Sequence, residues 1–103
     1  MDMQIDGLRV LITAGAGGIG LETARAFARE GAKVFVCDVD AAALEAMKTS
    51  DPGVKGVICD VADRAAVARM FEEALAYLGG LDCLINNAGI AGPSAWVEEM
   101  APE

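Results

Sequence analysis

The sequence predicts an α/β domain built on a parallel sheet that carries helices on its faces. Short apolar runs alternate with amphipathic stretches along the chain and give the order βαβαβαβ. The connections between them are short and rich in glycine and aspartate. Because a helix separates each pair of consecutive strands, the crossovers are right-handed and the strands run parallel. In a doubly wound arrangement the strands lie in the order 3-2-1-4.

Four apolar runs are expected to form the strands. The first contains Val10, Leu11 and Ile12, a run that is too short for a helix and typical of a strand buried on both faces. The other three runs have the same length and character. The predicted strands cover residues 8–13, 32–37, 54–59 and 81–86.

Three stretches between these strands are expected to be helices. Apolar side chains recur at the three-to-four-residue spacing of an amphipathic helix, most clearly in the third stretch. Asp40 and Asp63 are suited to cap the second and third helices at their N-termini. Gly31 and Gly79 follow the first and third helices as C-terminal stops. The predicted helices cover residues 18–30, 41–48 and 64–78.

Composition narrows the classes of function. The chain is 54% hydrophobic and carries a formal net charge of -8 without any histidine, which argues against disorder and against binding to nucleic acid or anionic membranes. No apolar run approaches the ~18 residues of a membrane span, and the N-terminus does not resemble a signal peptide. The three cysteines show no CxxC spacing, which fits small buried side chains rather than a metal site. We expect one soluble, cytoplasmic domain over residues 1–103.

The stretch from Thr13 to Gly20 joins the first strand to the first helix and is rich in glycine. A pyrophosphate needs backbone N–H donors that it can approach closely, and the following helix adds roughly half a positive charge at its N-terminus. Within a βαβ unit this pattern predicts binding of an NAD-type dinucleotide, and a tight turn without a ligand is the alternative. The candidate residues are Thr13, Gly15, Gly17, Gly18, Ile19 and Gly20.

Asp38 lies at the end of the second strand, 18 residues after Gly20. A carboxylate there accepts hydrogen bonds from the adenosine ribose, and a capping or solvated carboxylate is the alternative. It also repels a 2′-phosphate, by about 1 to 4 kcal/mol at ~4 Å. Neither Gly17 nor Val39 offers a basic group to hold that phosphate, so NAD is favoured over NADP.

Two further motifs follow the third and fourth strands. Asp60 could take the adenine amino group while Val61 offers an apolar wall, although Asp60 could equally be a turn residue. In the stretch from Asn86 to Gly89, the two amides can tie neighbouring strand ends together. Its remaining residues let a cofactor lie close to the backbone, and an ordinary turn is the alternative. The candidate residues in this stretch are Asn87, Ala88 and Gly89.

Together these motifs resemble, in order and spacing, the short-chain dehydrogenase/reductase family over essentially the whole chain. The resemblance implies a Rossmann fold and NAD(P)-dependent oxidation or reduction of an alcohol/carbonyl pair. One residue departs from the family pattern, since Ala14 stands where the first glycine of the TGxxxGxG motif belongs. An alanine is tolerated there at negative φ, where Gly15 can provide the close approach of the cofactor, and otherwise the affinity for the cofactor is in doubt. By resemblance, the glycine motif ends with Gly18, Ile19 and Gly20, and the acid that binds the ribose is Asp38. The adenine contacts correspond to Asp60 and Val61, and the segment beside the nicotinamide ribose contains Asn87 and Gly89.

The resemblance also implies a catalytic serine and a YxxxK pair beyond the NNAG motif, which is the stretch from Asn86 to Gly89. The 103 residues hold no such tyrosine–lysine pair. The only tyrosine, Tyr77, is followed four residues later by Leu81. Residues 98–103 resemble the start of the next family helix. We therefore expect the N-terminal, NAD-binding portion of an oxidoreductase, truncated and inactive alone.

Two alternatives remain open. The chain could be a stand-alone, non-catalytic dinucleotide-binding or complementation module. Whether the chain is such a module or a truncated oxidoreductase, we expect self-association or a complementary C-terminal half to cover the edge of the fourth strand. A methyltransferase or flavin-type nucleotide fold is the other alternative, and the Asn86 to Gly89 stretch and the Ile19-Gly20 pair argue against it.

Overall fold

The computed structural model describes residues 5–87 and contains, within that range, one four-stranded sheet in the order β3-β2-β1-β4. Every strand pair is parallel. The α/β class, the element order and the 3-2-1-4 topology expected from the sequence are confirmed. The elements are β1 (Arg9–Thr13), α1 (Gly18–Arg29), β2 (Lys33–Asp38), α2 (Ala41–Ser50), β3 (Lys55–Ile58), α3 (Arg64–Leu78) and β4 (Cys83–Asn86).

Some element boundaries differ from the expected ones, because pairing with a neighbour decides where a strand ends. β2 extends through Asp38, which pairs with Ile58 of β3. β4 begins at Cys83 rather than at residue 81, since Cys83 is the first residue in register with β1. The expected loop residues Ala88 and Gly89 lie outside the described residues, as does the tail over 98–103.

The sheet is covered on both faces, as its uninterrupted apolar strands require. Alternate side chains of β1 and β2 point to opposite faces and form two buried clusters. On one face Ile12 and Val36 pack with Ala24 of α1 and Met47 of α2. On the other face the strands pack against α3 through Leu11, Phe35, Cys37, Met70, Ala74 and Leu78.

Helix α1 differs from the other two helices in how its N-terminus is capped. Asp40 accepts a hydrogen bond from Ala43 N at 3.0 Å, and Asp63 accepts from two first-turn amides of α3, so both predicted N-caps are confirmed. Helix α1 instead begins after Gly17, which has no side chain to cap it. The first amides of α1 are therefore left for another acceptor. No helix within residues 5–87 is long and apolar enough to cross a membrane.

An ion pair fastens the start of β1 to the residue preceding β4. The Arg9 guanidinium donates to both carboxylate oxygens of Asp82, each at 2.9 Å, and also to Gly79 O at 3.0 Å. Two further bonds have backbone N–H donors. Arg9 N donates to Asp82 Oδ2 and Asp82 N donates to Arg9 O, each at 2.9 Å. The hydrogen bonds from Arg9 lower the pKa of Asp82 from 3.8 to about 2.

This lowered pKa predicts acid sensitivity that one substitution should remove. A carboxylate whose pKa is lower in the folded state stabilises the fold at pH values above its pKa in the unfolded chain. This stabilisation is lost as the pH falls through 3.8 towards 2. We expect Asp82→Asn to lower the melting temperature at pH 7, with the gap to wild type closing between pH 4 and pH 2. Circular dichroism melts across this range provide the measurement. Glu72→Gln, at an exposed position of α3, is the control, and a gap that stays constant with pH would contradict the expectation.

Candidate functional site

The carboxyl ends of the strands carry the motif residues to one edge of the sheet. A cleft of about 470 Å³ opens there between the ends of β1, β2 and β3. It brings together Asp38, Asp60 and Val61, which the sequence predicted as site residues. It also includes Val39, which was not among them although it directly follows Asp38 and is 64% exposed. The complete lining is Ala14, Asp38, Val39, Cys59, Asp60, Val61 and Ala62.

Thr13 joins β1 to the end of β4. Its hydroxyl donates to Asn86 Oδ1 at 2.9 Å and accepts from Asn87 N at 2.8 Å. The Asn87 side chain in turn donates to Ala14 O at 3.4 Å. Thr13 is only 1% exposed, so it supports the turn from beneath and does not face the cleft. The expected tie between neighbouring strand ends is therefore present, and it includes the hydroxyl of Thr13.

Gly15 and Gly20 allow the turn to pack closely against its neighbours. A Cβ on Gly15 would lie 2.6 Å from the Val36 side chain, so its missing side chain serves contact with β2. The sequence had suggested that Gly15 provides close approach of a ligand. A Cβ on Gly20 would collide with the Ala14 carbonyl oxygen and lie 2.8 Å from Asn87 Nδ2. Both glycines therefore shape the turn through contacts inside the protein.

Gly17 and Gly18 face open space instead. A Cβ at either position would meet nothing within 4 Å. Gly18 has φ +55, in the left-handed region that favours glycine, while Gly17 is extended at φ -156. The open space adjoins the uncapped first turn of α1, where backbone amides and the helix dipole favour an anion. Ile19 is 76% exposed beside it.

Ala14 adopts φ +54, a conformation that alanine rarely takes. This left-handed geometry costs an L-residue about 1–2 kcal/mol, and glycine avoids most of that cost. The resemblance had left open whether Ala14 sits at negative φ. The structure places it at positive φ, which is the case in which the sequence left the affinity for the cofactor in doubt. Its carbonyl accepts from Asn87, and Gly20 packs against the same oxygen, so the surrounding contacts hold the turn in place.

The two carboxylates of the cleft have different partners. Asp38 accepts from Ala16 N and from Asp40 N, each at 3.0 Å, and the first of these bonds reaches the glycine-rich turn. Asp60 accepts from Ala62 N at 2.9 Å, within its own turn. Asp38 therefore connects two segments of the site, whereas Asp60 stabilises only the segment that contains it.

The cysteines near the cleft are poorly suited to chemistry. Cys37 and Cys59 are buried, and burial raises the pKa of the Cys37 thiol to about 12. Burial likewise raises the pKa of Cys59. Both therefore stay protonated near neutral pH and act as small apolar side chains. In the described part of the chain, no group of three or more histidine, cysteine or acidic side chains is placed to hold a metal ion.

Comparison with known proteins agrees with this geometry. A family model described as short chain dehydrogenase matches residues 9–103. The chain belongs to the short-chain dehydrogenase family. L-fucose dehydrogenase from Bos taurus is 37% identical to this chain over 103 residues, which make up all of this chain and 38% of that protein.

Solved structures of family members are similar over the same portion. A 3-ketoacyl-(acyl-carrier-protein) reductase from Brucella melitensis complexed with NADH matches with a TM-score of 0.74 at 28% identity, covering 92% of this chain and 43% of that one. An NAD+-bound xylitol dehydrogenase matches with a TM-score of 0.78 at 32% identity, covering 84% and 35%. The sheet is thus Rossmann-like, and the chain spans less than half the length of these relatives.

The positive φ of Ala14 predicts that glycine is the more stable residue there. Relief of the left-handed conformation is offset in part by the greater freedom of glycine in the unfolded chain. We expect Ala14→Gly to raise the free energy of unfolding by about 0.5–1 kcal/mol in urea denaturation. Ala16→Gly is the control, because Ala16 is buried without a positive φ, and it should lower stability by about 1 kcal/mol. Equal effects of the two substitutions would exclude strain at Ala14.

Proposed function

We propose that this chain is the cofactor-binding portion of an NAD-dependent short-chain dehydrogenase/reductase that acts on an alcohol/carbonyl pair. The observation that carries the proposal is the open space over Gly17 and Gly18 at the uncapped start of α1. It lies at the same sheet edge as the cleft that contains Asp38. Similar family members hold NADH and NAD+ in their solved structures, which supports the proposal. When bound, the nicotinamide ring supplies hydride transfer.

Each predicted site residue receives a role in this proposal. The amides of Gly18 and Ile19 face the pyrophosphate at the start of α1, and Gly17 leaves room for it. Asp38 accepts from the adenosine ribose, while Asp60 and Val61 take the adenine. Around the nicotinamide ribose, the proposed contacts are Asn87, Ala88 and Gly89. The buried or closely packed residues, which act by shaping the turn, are Thr13, Gly15 and Gly20.

The charge of the cleft supports NAD over NADP. Asp38 and Asp60 both line it, and no basic side chain is among its lining residues. A 2′-phosphate beside Asp38 would be repelled by about 1 to 4 kcal/mol at ~4 Å. We therefore propose that NAD binds at least about fivefold more tightly than NADP.

We further propose that these 103 residues bind the cofactor without turning it over. The only tyrosine, Tyr77, packs at a tilt against Phe35 with ring centroids 6.0 Å apart, and Lys33 Nζ lies 4.7 Å from the Tyr77 ring centroid. Lys33 begins β2, so Tyr77 lies towards the amino ends of the strands, opposite the cleft. A tyrosine placed there is too far from the cleft to act as its general acid or base.

Cofactor binding can be tested at Gly17. Gly17→Ala should fold normally because its extended φ suits alanine, but the added methyl group enters the open space. We expect its affinity for NAD, measured by calorimetry, to fall about tenfold or more, which is ~1.4 kcal/mol. Gly53→Ala is the matched control, because its Cβ also meets open space but lies in the turn before β3.

The same titrations decide between the candidate ligands. Wild type should bind NAD more tightly than NADP and should not bind S-adenosylmethionine. Binding of S-adenosylmethionine in place of NAD would contradict the proposal. Equal loss of NAD affinity in Gly17→Ala and Gly53→Ala would mean that the open space over Gly17 is not the phosphate site.

One observation also favours a complementation or self-associating module. Within residues 5–87, β4 pairs only with β1, and all four of its residues are half-buried. A strand with one unpaired edge invites another strand to pair with it. We propose that a second copy or a complementary C-terminal half of this enzyme class covers that edge.

This edge predicts association that light scattering can detect. We expect the mass of the chain in solution to rise with concentration towards that of a dimer. Addition of a complementary C-terminal half should shift the mass to that of a one-to-one complex. A chain that stays folded and monomeric over the whole concentration range, without binding the complementary half, would contradict this second proposal.

A further inference from the structure

The carboxylate of Asp38 is hydrogen-bonded to the glycine-rich turn. Its Oδ2 accepts from Ala16 N at 3.0 Å, and its Oδ1 accepts from Asp40 N at 3.0 Å. Ala16 is 3% exposed, so its amide is shielded from water and depends on a protein acceptor. The residue that would hold the ribose is therefore already part of the framework of the phosphate turn.

The turn is attached to β2 at consecutive residues. Gly15 N donates to Cys37 O at 3.1 Å, next to the bond from Ala16 N to Asp38. Gly15 also packs directly on the Val36 side chain. Of these contacts, only the bond to Asp38 uses a charged side chain, and hydrogen bonds to charged groups are stronger than neutral ones. Loss of that acceptor leaves a buried N–H without a partner.

The carboxylate has room for both tasks. An ionised carboxylate offers about four acceptor positions, and the two amides use two of them. Ribose hydroxyl groups can therefore donate to Asp38 without displacing Ala16 or Asp40. The two amide bonds also fix the orientation of the carboxylate before a ligand arrives, which reduces the entropy lost on binding.

We propose that Asp38 is a positioning residue for the phosphate turn as well as an acceptor for the ribose. Through this one carboxylate, recognition of the adenosine half is coupled to the shape of the site for the pyrophosphate half. The ribose part rests on the proposed function, whereas the positioning part concerns the free chain. A substitution of Asp38 that admits a 2′-phosphate therefore also loosens the turn and weakens the contacts that the turn makes with the phosphate of any ligand.

The positioning part is tested in the free chain by amide hydrogen exchange at Ala16. Asp38→Ala should speed exchange of this amide about tenfold or more, because its acceptor is gone. Asp38→Asn should have a smaller effect, because the amide oxygen can still accept, and it provides the comparison if Asp38→Ala does not fold. Asp60→Ala is the matched control for exchange, since Asp60 lines the same cleft but bonds only to Ala62.

The coupling is tested with three ligands: NAD, NADP and nicotinamide mononucleotide, which has a phosphate but no adenosine. Asp38→Ala should narrow the gap between the affinities for NAD and NADP, and it should also lower the affinity for nicotinamide mononucleotide severalfold. Unchanged exchange at Ala16, or unchanged affinity for the mononucleotide when NAD affinity falls, would overturn the inference. If wild type fails to bind NAD while Asp38→Ala still speeds exchange at Ala16, the proposed function fails and the positioning role stands.

Discussion

The turn after β1 is held from both sides, and the candidate site depends on this attachment. On one side its amides bond to Cys37 O and to the carboxylate of Asp38 on β2. On the other side Asn87, at the end of β4, bonds to the carbonyl of Ala14. Because β1 lies between these two strands, the parallel order of the sheet places both attachments at one edge. The uncapped start of α1 is therefore held in a defined position beside the open space over Gly17 and Gly18.

Much of the fold could be predicted because it depends on local patterns. The caps Asp40 and Asp63 follow from short-range preferences, and strand order follows from the alternation of strands and helices. The ends of β2 and β4 could not be predicted in this way, because register with a neighbouring strand decides them. The Arg9–Asp82 pair joins residues 73 positions apart and leaves no local pattern either.

The sequence predicted which residues form the candidate site, but it did not predict what each of them does there. Asp38 and Asp60 were each predicted as site residues, and the parallel strands bring both to one cleft at their carboxyl ends. Gly15 and Gly17 are chemically identical, and only the presence of Val36 beside one of them gives them different tasks. The bond from Ala16 to Asp38 spans 22 residues and likewise depends on tertiary structure. The positive φ of Ala14 also could not be read from composition, since alanine normally avoids it.

The pairing of β1 with β4 is fastened at both ends, by Arg9 with Asp82 at the start and by Thr13 with Asn86 at the finish. A strand anchored at only one end can slip in register or peel away, but these two anchors fix both position and direction. Within residues 5–87 the outer edge of β4 has no strand beside it, and its backbone groups lie at the regular spacing of a strand. Any strand that were to pair with this edge would therefore meet a register that is already set.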